Sequence, residues 1–175
     1  MSGYNKNSNF GTGNYIKIST GLDVSTSTNN EKTGGLIQWD LGNSGIPAFA
    51  TVTEASLTFR VYTIAKQTFL LFAMYQDWVE GNGTSGASWN TYDGTNAWGT
   101  PGADNISLDR SAKNLWLADS LSFNVTGYQT VNLNGTGVGV VQAWVSGSLP
   151  NYGLVAQNYV DVNYLPLSVA SSENS

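Results

Sequence analysis

Between residues 53 and 64 the side chains alternate. Ala55, Leu57, Phe59 and Val61 fall on one side of an extended chain, and Ser56, Thr58, Arg60 and Tyr62 fall on the other. A period of two belongs to a strand with one buried and one wet face, and no helix face reproduces it. Residues 36–41 repeat the pattern, with Ile37, Trp39 and Leu41 opposite Gln38 and Asp40. Residues 69–75 are apolar on both faces, which calls for a strand covered on each side or an exposed aromatic platform. Further strands are expected at 14–19, 120–125, 128–133, 154–158 and 161–169. Pro166 pushes the last toward a sheet edge, because proline donates nothing to a ladder. One short helix is predicted at 137–145, where Val138, Val141 and Val145 share a face, Thr136 caps the start and Gly147 follows the end; Gly137 and Gly139 weaken it. Segments 22–34 and 81–118 read as irregular, the second too long for a plain connection in a compact domain. Short strands punctuated by Gly and Asn predict an all-β fold, an antiparallel β-sandwich with long loops.

The 175 residues suit a single domain, 1–175. The chain has no Cys and no His, which excludes Ser-His-Asp and Cys-His catalysis, imidazole or thiolate metal sites and disulfides. What remains for metals is oxygen ligation of the kind that suits calcium. A net charge of -5 with only 7 Lys and Arg argues against nucleic acid as a partner. No apolar run approaches the ~18 residues of a membrane span, and the first residues lack the charged and apolar regions of a signal peptide. A surface of neutral Asn, Ser, Thr and Gly fits a mature extracellular protein, secreted or attached to a cell surface.

Sugar recognition needs flat aromatic faces beside amides and carboxylates that bond hydroxyls. The stretch from Trp89 to Trp98 supplies both, with Tyr92 as a further ring and Asn90, Asp93 and Asn96 as polar partners. Trp89 and Trp98 could equally plug the end of the sandwich. Trp39 reads as core from its alternating position. Trp116 follows Arg110 and Lys113 in a segment that could form the one basic spot of an acidic protein, suited to an anionic ligand. Asp104, Asn105 and Asp109, or Asp93 with Asp104, could give oxygen ligands to a structural calcium pinning the long loop. Asp77 and Glu80 are the best carboxylate pair for glycoside hydrolysis, but a turn role suits them better.

Several phrases occur in order along the chain: Asn7-Ser-Asn-Phe-Gly-Thr-Gly; Gly35-Leu-Ile-Gln-Trp-Asp-Leu ending in Ile46-Pro; Val52-Thr-Glu-Ala-Ser-Leu-Thr-Phe; Trp78-Val-Glu-Gly with Ser88-Trp-Asn; Trp98-Gly-Thr-Pro-Gly-Ala-Asp; and Val141-Gln-Ala-Trp-Val-Ser-Gly with Asn151-Tyr-Gly-Leu. Together they resemble the DNRLRE domain, a disaggregatase-related family that overlaps carbohydrate-binding modules. The resemblance implies a non-catalytic extracellular β-sandwich of jelly-roll type, with Trp78 and Trp144 in the core; some members bind polysaccharides. Members usually carry a strand before the Asn-Phe-Gly phrase and another after a Ser-Ser-Glu-Asn phrase, whereas this chain runs from Met1 to Ser171-Ser-Glu-Asn-Ser, so both terminal strands are expected to be lacking. A sandwich short of a strand exposes a sheet edge and a strip of core. The functional expectation is a carbohydrate-binding module that holds a polysaccharide through Tyr92 and Trp98. The alternative is a structural subunit of a filament, stalk or surface layer, in which neighbouring domains or copies of the chain complete each other's sheets.

Overall fold

The computed structural model describes residues 1–3, 5–22, 30–64, 68–113, 115–118, 121–159 and 166–172. Eight strands and one helix follow in the order β1 (Tyr15–Leu22), β2 (Asn30–Thr33), β3 (Gly35–Ile37), β4 (Ser56–Thr63), β5 (Leu70–Ala73), β6 (Gly127–Asn132), α1 (Gly135–Ser146), β7 (Leu154–Gln157) and β8 (Leu167–Ala170). They form two antiparallel sheets, β2-β1-β8-β4-β6 and β3-β7-β5. The fold is an all-β sandwich.

The segment 109–121 extends the smaller sheet. Tyr75 N donates to Asp109 O, Ser111 N to Ala73 O, Leu117 N to Leu71 O, and Phe69 and Leu121 exchange both bonds, at 2.8 to 3.1 Å. This interrupted fourth strand lies along the free edge of β5. The antiparallel pairs β1 with β8, β3 with β7, β4 with β6, and β5 with 109–121 are those of a hairpin rolled into two facing sheets, the jelly-roll arrangement. β2 is an addition on the outer side of β1.

The core lies between the sheets. Phe59 and Val61 of β4 point into it with Ile18, Leu71, Leu121, Leu154, Leu167 and Val169, as the alternation in residues 53–64 demands. A second cluster covers the outer face of the smaller sheet, where Phe72, Met74 and Val155 meet Ala87, Trp98 and Ala103 from the long loop. The doubly apolar strand at 69–75 is therefore covered on each side.

Several expectations change. The pattern at 36–41 yields a strand only to Ile37, because the Asp40 carboxylate accepts from Gly42 N at 2.9 Å and Asn43 N at 3.4 Å and turns the chain. Trp39 is consequently 39% exposed instead of core. Pro166 precedes β8, which lies centrally between β1 and β4 and not at an edge; ahead of the strand, its missing N–H costs no ladder bond. Part of 22–34 is strand, since β2 begins at Asn30, while 23–29 lie outside the described residues. The expected strand at 120–125 reduces to the bridge of Leu121 with Phe69, residue 120 lying outside the described set, as do 161–165 of the last predicted strand. The helix is present but is capped by Asn134, whose side chain accepts from Gly137 N, instead of by Thr136; Gly147 closes it in a left-handed conformation at φ 73°.

Candidate functional site

The long loop folds back over the smaller sheet, and its polar groups are spent on holding it there. Asp109, fully buried, accepts Gly99 N at 2.7 Å, Thr100 N at 3.0 Å and Asn105 N at 3.0 Å. Asn9 reaches in from the N-terminal segment, donating to Glu80 O and Ala87 O and accepting from Gly11 N and Gly83 N. The Trp98 ring is 4% exposed, donates Nε1 to Ser88 O at 3.0 Å and sits 5.7 Å from the half-buried Tyr92 ring. A ring so enclosed has no face left for a pyranose, so Trp98 belongs to packing instead of to a sugar platform. Trp89 lies against Tyr159 at 5.3 Å. Asn90 donates to Asn7 Oδ1 at 2.7 Å. Asp93 accepts from the Asn96 side chain at 2.7 Å and from Thr95 N and Asn96 N, and these bonds, the Asn96 amide first, hold its carboxyl below the ordinary value. The six expected sugar contacts are thus assembled into a loop that packs and braces itself.

The residues expected to hold calcium make contacts within the chain. Asp104 pairs with Arg110 at 2.6 Å, Asp109 is saturated by backbone donors, and Asn105 Oδ1 accepts from Ser107 N and Leu108 N. Among the described residues no group of three or more carboxylates converges. A guanidinium occupies the place a cation would need. The sequence signal lay in the strand apolar on both faces, which required a cover that only the long Trp-bearing loop could provide.

The principal concavity lies elsewhere, in a groove of about 1350 Å³. It lies beyond the end of β8 at Ala170, and Ala170, Ser171 and Ser172 border it. β8 pairs with β1 from Tyr15 to Ile18 but with β4 only at Val61 and Thr63. Residues Ser56–Arg60 of β4 pair with β6 on one side, and among the described residues no strand lies on the other. Among the described residues that side of β4 is therefore unpaired over about 17 Å. Ile16, Ile37, Phe59 and Trp144 line the groove's inner side, Lys17 and Arg60 its outer side, and Trp39 and Ile46 its rim. The Trp144 indole N–H is buried there with no acceptor among the described residues, a state that costs about 1 to 3 kcal/mol if nothing fills it. Trp39 was legible as an aromatic, but its exposure follows from the Asp40 turn, and the groove follows from register; neither is visible in the pattern.

A second, smaller cavity of about 150 Å³ opens on the outer face of the smaller sheet, lined by Lys32, Arg110, Lys113, Asp104, Gln157 and Tyr159 among others. Arg110 is 1% exposed, its guanidinium 4.1 Å from the Phe72 ring and donating to Ser111 O at 2.8 Å. Burial, and next the Asp104 charge, push the Tyr159 hydroxyl well above its ordinary value, with Arg110 opposing; the hydroxyl donates to Gly102 O at 3.0 Å.

No protein-family model, curated protein or solved structure matches this chain. Among the described residues no helix is long and apolar enough to cross a membrane.

Proposed function

We propose that this domain is a non-catalytic structural module of an extracellular filament, stalk or surface layer, and that its groove receives an extended strand from a neighbouring domain. The observation that carries the reading is the run Ser56–Arg60, paired among the described residues with β6 alone in the middle of a sheet. A strand presents side chains to alternate faces. An occupant would therefore set apolar residues toward Ile16, Phe59 and Trp144 and polar ones toward Lys17 and Arg60. Its backbone would supply β4 with ladder partners. Affinity would come from main-chain bonds and selectivity from the alternation, as in other strand additions.

A second reading, polysaccharide binding, is favoured by one observation: Phe10, Tyr15, Trp39 and Tyr128 along the same groove are all 39% exposed or more. Rings with free faces, beside Gln38, Asp40 and Asn151, offer the stacking and hydroxyl contacts that the buried Trp98 does not.

Amide exchange separates the two. A synthetic peptide of about nine residues, alternating Val or Ile with Ser, Thr or Glu, is expected to slow exchange within Ser56–Arg60 roughly tenfold or more and to shift the Trp144 indole resonance. Ile46→Asp at the rim should weaken the effect. Silence toward such peptides, together with a glycan-array signal lost in Trp39→Ala, would establish the second reading and overturn the first. Silence toward both would remove the groove as a site.

A further inference from the structure

The 150 Å³ cavity gathers Lys32, Arg110 and Lys113, three of the seven cationic side chains of a protein whose net charge is -5. They come from two separate parts of the chain, β2 and the segment after the long loop. Lys32 stands on β2 with its ammonium 5.9 Å from the centre of the Tyr159 ring. Arg110 opens the edge segment on β5, and Lys113 follows in the excursion between Ser111 and Leu117. Among the described residues Asp104 is the one anionic wall. Its carboxylate is bound to Arg110 at 2.6 Å, so these two cancel, and Arg110 also donates to Ser111 O. Gln157, 2% exposed, adds a carbonyl to the same guanidinium once its amide is set the way its neighbours require, with its NH₂ toward Tyr159 and Gly102 O. What remains uncompensated is the charge of two lysines, neither in an ion pair among the described residues.

We propose that this cavity is a binding site for a sulfate-sized tetrahedral oxyanion, either a free ion or a sulfate ester carried by a larger ligand. Volume sets the scale. At about 30 Å³ per water the cavity holds roughly five waters, well below the ~300 Å³ at which pockets enclose an organic ligand whole. Geometry sets the type. A planar carboxylate is matched by a free guanidinium fork, and the fork here is committed to Asp104 and Gln157. Ammonium groups are point charges that can approach different faces of a tetrahedral ion, each meeting a different oxygen. A dianion also matches the charge of two lysines. Arg110 serves as the rigid floor, fixed from above by Asp104 and from below by the Phe72 ring. This site is independent of the groove and of the function proposed for it.

Titration of the ¹⁵N-labelled domain with sodium sulfate, sodium acetate and glucose 6-sulfate at low ionic strength tests it. Sulfate is expected to shift amides at 102–104, 110–113 and 157–159 saturably, with acetate roughly tenfold weaker, and added NaCl should compete. The double variant Lys32→Gln/Lys113→Gln, which changes only solvent-accessible ammoniums, should lose the response, while Arg60→Gln should keep it. Response to both sulfate and glucose 6-sulfate assigns the pocket to the ion, and response to the ester alone assigns it to a sulfated ligand. An equal response to acetate, no saturable response to either sulfate probe, or an unchanged response in the double variant overturns the proposal.

Discussion

Asp109 gathers three backbone N–H groups from Gly99, Thr100 and Asn105 and so does, within the chain, what a bound calcium was expected to do for the loop. Beside it the Trp98 ring closes the second core. Trp98→Ala should cost about 3 to 5 kcal/mol, the usual range for emptying a buried large aromatic site, whereas Trp39→Ala should cost about 1 kcal/mol or less because so much of that ring is wet; urea denaturation of the two variants checks the contrast. Asp104→Ala strands a buried guanidinium. With Asp104 itself 30% exposed, a loss of about 2 to 3 kcal/mol by the same measurement is expected. Asp93 gives a pH prediction. Its folded value is depressed, so its bracing of the 93–96 turn is complete above the ordinary carboxylate value near 3.9 and is lost as pH falls through the folded value. Carboxyl NMR titration should find Asp93 below that reference and the Asn96 side-chain resonances moving with it; a midpoint at or above the reference would refute the bracing.

Among the elements, two of the three glycines of α1 have opposite meanings. A Cβ on Gly137 would stand 2.2 Å from Leu117 O, which also accepts from Asn134 N, so this glycine lets the first helical turn press against the edge segment of the smaller sheet. A Cβ on Gly139 would meet nothing within 4 Å. Gly139→Ala should therefore stabilise the domain by about 0.5 to 1 kcal/mol, by reducing the freedom of the unfolded chain, and Gly137→Ala should destabilise it despite the better helix former. Thermal melts of the pair decide. In the sequence both glycines looked like arguments against a helix. The helix exists because Asn134 caps it, Gly147 terminates it and Val140 and Trp144 pack against the core. β3 and β8 teach the converse. Their patterns were legible, but where each stops and where it sits depended on a carboxylate turn at Asp40 and on partners far away in the chain.

The whole molecule is a sandwich with two covers of unequal quality. The smaller sheet is covered outside by the long loop, while in the larger one, among the described residues, Ser56–Arg60 of β4 are paired on one side only. That asymmetry should appear in amide exchange of the isolated domain. Amides of Ser56–Arg60 that face the groove should exchange faster than those of Leu71–Ala73, whose strand is paired with β7 on one side and with the edge segment on the other. Equal protection in the two strands would mean that the groove is not open in solution.

By itself the sequence determined the class of fold, because an alternation of period two over eight residues, repeated in short runs between Gly and Asn, has only one way to bury its apolar half. It also determined what the chain cannot do with imidazole or thiol, since it has neither. It could not tell a loop aromatic that faces solvent from one that faces a sheet. Trp98 and Trp39 differ in exposure because one loop folds back and one strand ends early, and both outcomes depend on contacts between residues distant in the chain. The groove and the cluster of Lys32, Arg110 and Lys113 are likewise products of register and packing: which strands lie side by side, and how far each runs, are fixed only when the sheets close.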